Sequence, residues 1–343
     1  MKKFKTILFA SVITAAMLAG CSNKEKAEPT KAEDPVVEEP TVTYPAPFSG
    51  RPLEEEATNR PVLVTINNQV EARPQSGLSS ADVVYEMLAE GDVTRLLALF
   101  QSELPESVGP IRSARSYFID VAQGLDAFYI AHGYSPEAQT MLANRVVENI
   151  NGMAYDGSLF IRSKDRVAPH NSYMPGENIE KSIETVGASP HYSKKVSYTF
   201  YNEQDSVKIG ESATTVQVKY SNMDSFNSTY NYSADKGTYE RSNGTAVTTD
   251  LVTDEPLEIA NVLFFDMKHS FVDSYGRRDI DITSGGIAYV AQQGSIRQVE
   301  WKNNDGLLEA VELDGSPVKL VPGLTWVHFV PTTPGILSSV TYE

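Results

Sequence analysis

Cysteine is nearly absent from this sequence, since the 343-residue chain has a single one, Cys21. A lone cysteine excludes a disulfide within the chain, and the residues after it offer no thiol for catalysis or metal binding. Histidine is also scarce, with five in all. The five show none of the short spacings that metal ligands need. We therefore expect no cofactor and no metal centre built from thiolates and imidazoles.

Positive charge is in short supply as well. The chain has 29 Lys and Arg against 45 Asp and Glu, which gives a formal net charge of −16. Without the three lysines of the N-terminal segment described below, 26 remain against 45, a formal charge of −19. A chain this acidic is not expected to bind nucleic acid or to adhere to an anionic surface by charge alone. Any anion-binding site must be a local exception to the negative field.

Long hydrophobic runs are missing except at the N-terminus, where Thr6–Met17 is too short for a comfortable membrane span. Three lysines precede this segment and Leu18-Ala19-Gly20-Cys21 follows it, a pattern that resembles the bacterial lipobox. We predict a lipoprotein signal peptide over residues 1–21 and acylation of Cys21, for example with palmitate. Two acyl chains suffice for stable anchoring. The pattern thus predicts an anchor in the cell membrane, with the chain on the extracytoplasmic side.

The residues that follow the lipobox have few large apolar side chains. Residues 22–45 are rich in Glu, Lys and Pro. A segment of this composition cannot bury enough apolar surface to fold. We predict a disordered linker that holds the body of the protein clear of the lipid headgroups.

Strong catalytic signatures are also absent. The sequence has no Walker P-loop, no G-x-G-x-x-G, no H-E-x-x-H and no G-x-S-x-G. The stretch Gly133–Glu137 falls one residue short of a nucleophile elbow, and Ser135 before Pro136 is better explained as the N-cap of a helix. These absences leave the enzymatic status of the protein open.

The body divides near residue 191. Residues 46–191 contain nine Arg and two Lys, whereas residues 192–343 contain four Arg and eight Lys. The first part mixes helical and strand patterns, and the second is dominated by strands. We predict an α+β protein, with an N-terminal mixed α/β sheet domain (46–191) carrying packed helices and Arg-rich loops, followed by a mainly antiparallel β domain (192–343).

Several elements are predicted within this frame. In the first part we expect a strand over 61–66, a hairpin of 82–89 and 93–100, a helix over 114–123 capped by Ser113, a strand over 126–131, a helix from 136 and a last helix over 177–186. In the second part we expect strands over 195–201, 215–220, 259–265, 279–283, 287–291, 296–301, 307–313 and 326–330. The Ser-, Asn- and Tyr-rich stretch 222–243 is predicted to be a hairpin or a mobile insert.

The first part carries a set of basic residues in or beside loops. The candidate anion-binding residues are Arg73, Arg95, Arg112, Arg115, Arg162, Lys164 and Arg166. Six of the seven are Arg, whose guanidinium binds phosphate or carboxylate through two hydrogen bonds, whereas Lys acts as a point charge. A loop-borne set of this kind is a candidate binding site. The alternative interpretation is that each Arg pairs with Asp82, Glu106, Asp120 or Asp165 and serves only to hold loops on the sheet.

Four stretches resemble a known family closely. Residues 71–120 (EARPQSGLSS…RSYFID), 162–173 (RSKDRVAPHNSY), 285–301 and 320–331 are similar to the corresponding parts of the YerB-like lipoproteins. The resemblance covers nearly the whole body and implies a two-domain, surface-exposed lipoprotein. It brings no activity, because the role of that family is uncharacterised. Asn67 departs from the Asp expected there, which weakens any role that needs a carboxylate at that position.

A more distant analogy concerns the LytR-CpsA-Psr phosphotransferases, which hold a polyprenyl pyrophosphate with Arg side chains and a metal-bound Asp. The order of the Arg loops and the Asp-led strand is similar, with Arg73, Asp82, Arg112 and Arg115 in the matching positions. The R-x-D-T and P-R-D forms of those enzymes are lacking, so the likeness is one of chain order alone.

Three hypotheses therefore remain. In the first, an Arg-lined cleft of a non-catalytic envelope protein binds an anionic envelope ligand or a protein partner. In the second, the protein is a Mg²⁺-dependent phosphotransferase acting on a polyprenyl-pyrophosphate-linked precursor, with Asp82 as the metal ligand and Asp165 or His170 assisting proton transfer. In the third, all the Arg side chains are internally paired and the protein acts only as a structural partner.

Overall fold

A computed structural model describes residues 43–343. Cys21, the predicted signal peptide and all but the last three residues of the predicted linker lie outside the described residues. Two of those last three, Tyr44 and Pro45, form a short strand that pairs with Pro52–Leu53. The linker predicted from composition therefore overlaps the folded part at its end.

Strands dominate the described chain, and they fall on both sides of the boundary predicted at residue 191. Those before it are β1 Tyr44–Pro45, β2 Pro52–Leu53, β3 Val62–Asn67, β4 Val83–Glu90, β5 Val93–Phe100, β6 Ser107–Val108, β7 Phe128–Ala131, β8 Asn149–Asn151, β9 Ile161–Arg162 and β10 Ser172–Pro175. Those after it are β11 Thr199–Phe200, β12 Glu211–Ser212, β13 Thr215–Val218, β14 Ser228–Ser233, β15 Thr238–Asn243, β16 Ala246–Val247, β17 Ile259–Met267, β18 His269–Phe271, β19 Arg278–Ile280, β20 Gly286–Gln292, β21 Ser295–Asn304, β22 Leu307–Val311, β23 Lys319–Leu320, β24 Leu324–Pro331 and β25 Val340–Tyr342.

The helices of the described residues are short. They are α1 Ser116–Gly124, α2 Pro136–Ala143, α3 Gly152–Tyr155, α4 Gly176–Val186 and α5 Ile336–Ser339. The predicted cap of α2 is confirmed, because the Ser135 side chain accepts a hydrogen bond from the Ala138 amide and Pro136 occupies the first helical position. The predicted cap of α1 is wrong. Arg115 is the N-cap residue, and the Ser113 hydroxyl instead donates to the carbonyl of His132.

One sheet runs through both halves of the body. Its central order is β15-β17-β24-β4-β5-β3-β7-β8. The join is the parallel pairing of β24 with β4, in which Thr325 lies opposite Val83 and His328 opposite Glu86. β17 and β24 also pair in parallel, an exception in a second half that was predicted to be mainly antiparallel. The predicted β4–β5 hairpin and the hairpin in 222–243, here β14–β15, are confirmed.

Alternation along the strands builds two hydrophobic clusters, one on each face of this sheet. Leu63 of β3 faces a cluster that includes residues of α1 and α2, whereas its neighbours Val62 and Val64 face a second cluster that includes residues of α4. Because β3, β4, β5 and β7 contribute buried side chains to both faces, these strands are nearly continuous apolar runs in the sequence.

A fully buried ion pair crosses the join between the halves. The Glu86 carboxylate on β4 accepts a 2.9 Å bond from Arg241 on β15, and their side chains are 0% and 1% exposed. Trp326 on the intervening β24 donates to the same oxygen of Glu86 at 3.0 Å, and its ring lies 4.6 Å from the Arg241 guanidinium carbon. Burial opposes ionisation, but Arg241 and these hydrogen bonds hold the pKa of Glu86 below its usual value.

We expect Glu86→Gln to lower the free energy of unfolding by about 3–5 kcal/mol, because it leaves Arg241 as an uncompensated buried charge. Urea unfolding at neutral pH measures the change. The control is Lys236→Ala, which breaks the exposed pair with Glu258 and should leave the free energy of unfolding nearly unchanged. Equal losses in the two variants would contradict the special role of the buried pair.

Candidate functional site

A cavity of about 430 Å³ opens at the tip of the β4–β5 hairpin. Its lining combines four arginines with one carboxylate, two hydroxyls and two phenol rings: Arg95, Arg112, Arg115, Arg277, Glu90, Ser113, Ser135, Tyr134 and Tyr275. Three of these arginines belong to the set predicted from the sequence. The structure thus brings Arg95, Arg112 and Arg115 together around one opening.

Local chain geometry fixes where these side chains lie. Glu90 ends β4 and Arg95 lies near the start of β5, on either side of the Gly91–Asp92 turn. The segment after β6 is held in an extended form by backbone bonds, including Arg112 N–H to the Thr65 carbonyl at 2.9 Å. That segment ends at Arg115, so Arg112 and Arg115 face the hairpin tip from the start of α1.

The other wall of the cavity comes from the β18–β19 hairpin in the second half of the chain. The amide of Gly91 donates to the carbonyl of Gly276 at 3.3 Å, and the Arg278 guanidinium donates to the Gly91 carbonyl at 2.9 Å. Arg277 pairs with Asp273 of its own turn at 2.6 Å. Both halves of the body therefore contribute to this cavity.

Glu90 is the carboxylate at the centre of the cluster. Arg95 donates to both of its oxygens at 2.9 Å, and Arg115 also pairs with it. Both arginines are 5% exposed. Each is also fixed through its second terminal nitrogen, because Arg95 donates to the Ser113 carbonyl and Arg115 to the Ala114 carbonyl, both at 2.6 Å.

Arg112 has no such partner. Within residues 43–343 it makes no ion pair, and its nearest polar contact is Gln69 Oε1 at 3.5 Å, the limit for a hydrogen bond. Its buried Nε has no partner in this described part of the chain. Burial, together with nearby Arg95, lowers the pKa of Arg112 to about 10, so the guanidinium still carries its charge at neutral pH.

The charges around the cavity do not balance. Arg277 is neutralised by Asp273, but Glu90 is the single carboxylate that lines the cavity with Arg95, Arg112 and Arg115, and it pairs only with Arg95 and Arg115. Burial lowers the pKa of Arg95 to about 10 and also lowers that of Arg115, which is the direction expected for crowded, desolvated cations. A local excess of two positive charges therefore lies on a chain whose formal net charge is −16.

The other predicted cations lie outside this cavity, where they either bind groups of the fold or are exposed. Arg73 and Arg166 bind backbone carbonyls, Arg73 those of Asn68 and Ser225, and Arg166 those of Ala72 and Pro74. Lys164 is exposed.

Arg162 belongs to a separate polar cluster. It makes a two-point contact with Asp156 at 3.0 Å and reaches His132 Nε2 at 3.0 Å. The other ring nitrogen of His132 lies 2.7 Å from the buried hydroxyl of Ser172, and burial lowers the pKa of His132. These bonds tie the loop of β9 and β10 to the end of β7.

The groups proposed for catalysis are dispersed. Asp82 directly precedes β4, at the end of the strand opposite to Glu90. The two residues are eight positions apart, which is roughly 26 Å at a strand rise of about 3.3 Å per residue. Its carboxylate accepts bonds from the amides of Gln101 and Ser102 and from the Ser102 hydroxyl. The pairing of a metal-bound Asp82 with Arg112 and Arg115 is therefore wrong on geometry. Within residues 43–343 no group of three His, Cys, Asp or Glu side chains has a metal-binding arrangement.

His170 and Asp165 do not join the cavity either. The Nδ1 atom of His170 accepts a 2.8 Å hydrogen bond from the side-chain amide of Asn67. Burial, together with Arg112, lowers the pKa of this half-buried histidine. Asp165 is exposed, and its amide donates to Ser163. The sequence suggested Asp82, Glu106, Asp120 and Asp165 as internal partners of the arginines. In the described part of the chain none of the four pairs with an Arg. The carboxylates that do so are Glu86, Glu90, Asp126, Asp156, Asp273 and Glu312.

Sequence reasoning missed four lining residues of the cavity: Glu90, Tyr134, Tyr275 and Arg277. A signal existed for the last two, because Asp273–Arg278 is a short turn with an exposed Tyr and two adjacent arginines in a half that has only four. For Glu90 the sequence indicates only a place in the turn between 82–89 and 93–100, because nothing near it in the sequence shows that its carboxylate faces two guanidiniums.

Comparison with known proteins places the chain in a family. Residues 48–189 match the model described as "Protein of unknown function (DUF3048) N-terminal domain", and residues 216–327 match the corresponding C-terminal domain. The chain belongs to this family of two-part proteins. Its similarity to "Putative lipoprotein YerB" of Bacillus subtilis (strain 168) reaches 37% identity over 333 residues, 96% of each chain. The predicted resemblance to YerB-like lipoproteins is confirmed.

A solved structure agrees with the fold. The crystal structure of YerB protein from Bacillus subtilis superimposes with a TM-score of 0.79 at 38% identity and covers 88% of this chain and 99% of that one. Among residues 43–343, no helix has the length and apolar character needed to cross a bilayer.

Proposed function

We propose that this protein is a lipid-anchored, non-catalytic component of the cell envelope that binds an anionic ligand on the extracytoplasmic side of the membrane. The binding site is the Arg-lined cleft formed by Arg95, Arg112, Arg115 and Arg277. The observation that carries the proposal is Arg112, a half-buried guanidinium without a carboxylate partner beside two others that share one. A buried cation with no counter-ion is costly, and a bound anion removes that cost.

The hydroxyls of the cleft favour binding over group transfer. Ser113 donates to the carbonyl of His132 at 3.2 Å, and Ser135 accepts from the amide of Ala138 as the cap of α2. Both hydroxyls serve local structure, and neither contacts a histidine ring or a carboxylate that would activate it. The cleft thus offers fixed donors for an anion, which is what a binding site needs.

The lipid anchor rests on the N-terminal pattern and on the relative's name. The run of lysines, apolar residues and Leu18–Cys21 precedes a body similar to a protein named a putative lipoprotein. An acyl anchor with a Glu- and Pro-rich linker holds a soluble body at a membrane without threading it.

We expect Cys21→Ser to abolish incorporation of labelled palmitate and to move the protein from the membrane fraction to the soluble fraction of a bacterial host. Fractionation and immunoblotting measure the distribution, with Ser22→Ala as the control that leaves the acceptor thiol intact. Retention of the Cys21→Ser protein in membranes, at the level of the control, would refute lipid anchoring through Cys21.

Anion binding is tested by thermal unfolding of the detergent-solubilised chain with inorganic pyrophosphate. At about 100 times its Kd the ligand should add roughly 2.7 kcal/mol to the free energy of unfolding and raise Tm. Arg112→Ala should lose most of this shift, and its own Tm should change little because Arg112 makes no ion pair in the described chain. Arg162→Ala, which removes a guanidinium outside the cleft, is the matched control and should keep the shift. No shift in the wild-type protein at millimolar pyrophosphate would reject the anion site.

A further inference from the structure

Glu90 holds the position that a bound anion would take in the cleft. Its two oxygens both accept from Nη2 of Arg95 at 2.9 Å, and one of them also meets Nη2 of Arg115. The carboxylate therefore takes up terminal N–H groups of two guanidiniums, the donors with which Arg binds a carboxylate or phosphate ligand. The chain therefore supplies its own occupant for the two most buried guanidiniums of the site.

The carboxylate is the part of this cluster that can leave. The Glu90 side chain is 35% exposed, whereas those of Arg95 and Arg115 are 6% exposed. Glu90 ends its strand beside Gly91, and the register of the hairpin shifts between Leu88 and Glu90. The arginines remain in place without it, because each also donates to a backbone carbonyl at 2.6 Å. Rotation of Glu90 into solvent would expose two preorganised donors.

Charge selects the anion that gains from this exchange. With Glu90 inside, the three guanidiniums of Arg95, Arg112 and Arg115 face one negative charge. A monoanion in place of Glu90 leaves that balance unchanged, whereas a dianion neutralises one further positive charge and reaches Arg112 as well. A phosphate group, with a charge near −2 at neutral pH and three acceptor oxygens, matches three converging guanidiniums better than a carboxylate does.

We infer that Glu90 is an internal competitor that occupies the cleft until a dianionic phosphate group, inorganic or at the end of an envelope ligand, displaces it. The inference rests on the proposed function, since it describes how that same cleft admits its ligand. Glu90 sets the affinity of the site and discriminates against monoanionic carboxylates, which gain nothing by exchange with it.

The test is isothermal titration calorimetry of the detergent-solubilised full chain with inorganic phosphate, pyrophosphate and acetate. Glu90→Gln keeps the size of the side chain and removes the competing charge, so it should bind both phosphates roughly tenfold more tightly than the wild-type protein. Wild-type protein should bind phosphate and not acetate. Glu90→Asp is one methylene shorter and keeps the charge, so its affinity for phosphate should lie between those of the wild-type protein and Glu90→Gln. This variant tests the proposal if Glu90→Gln is poorly folded.

Asp92→Asn is the matched control. Asp92 lies in the same turn and carries the same charge, but it accepts from Ser221 at 2.9 Å instead of contacting the arginines of the cleft. The affinity of Asp92→Asn for phosphate should stay within about twofold of the wild-type value, because the removed charge does not contact the arginines of the cleft. An equal gain in Asp92→Asn and Glu90→Gln would show a general field effect and overturn displacement.

The failures of the two proposals are distinguishable. If the wild-type protein binds phosphate and Glu90→Gln binds it no more tightly, the competitor role is wrong and the anion site stands. If neither protein binds phosphate or pyrophosphate, the proposed function itself fails. Binding by Glu90→Gln alone would show that phosphate does not displace Glu90 from the wild-type cleft, and it would overturn both proposals.

Discussion

The buried ion pair between Glu86 and Arg241 is the constraint on which the rest of this structure depends. It joins β4 of the first half to β15 of the second, across β24, in a region with no access to water. A pair of this kind is stable only if the remaining donors and acceptors are satisfied, and here Thr94, Asn68 and Trp326 complete the carboxylate. The two halves are therefore held in one register.

That register determines the cleft. Glu86 and Glu90 lie on the same strand, four residues apart, so the position of the buried pair sets the position of the hairpin tip. The tip must then meet Gly276 of the other half for Arg277 to line the opening. Positive charge is concentrated there although the chain as a whole is strongly acidic. An anion approaching the protein thus meets a chain that is negative on average and a local excess of positive charge at this opening.

Local patterns predicted most of the elements, because they depend on neighbours in sequence. The β4–β5 hairpin, the Ser135 cap and the strand predicted over 259–265, which extends to Met267 in the structure, follow from hydrophobic patterning, turn residues and capping chemistry. The parallel pairing of β24 with β4 did not follow, because residues about 240 positions apart carry no local mark of their contact. The same reason explains why three arginines of the cleft were found as candidates while Glu90, their shared carboxylate, was not.

β24 pairs with the edge of β4 that the other strands of the first half leave open. The part of the sheet formed by the first half therefore has an unpaired edge strand when β24 is missing. Without the second half, the residues from Val83 to Glu86 would present an apolar strand with unpaired amides and carbonyls, a template on which further chains can pair. Glu86 would also lose Arg241 and stand alone at that edge. The segment that matches the N-terminal family model therefore leaves its sheet open at β4, and the central sheet is complete only when β24, near the far end of the chain, is in place.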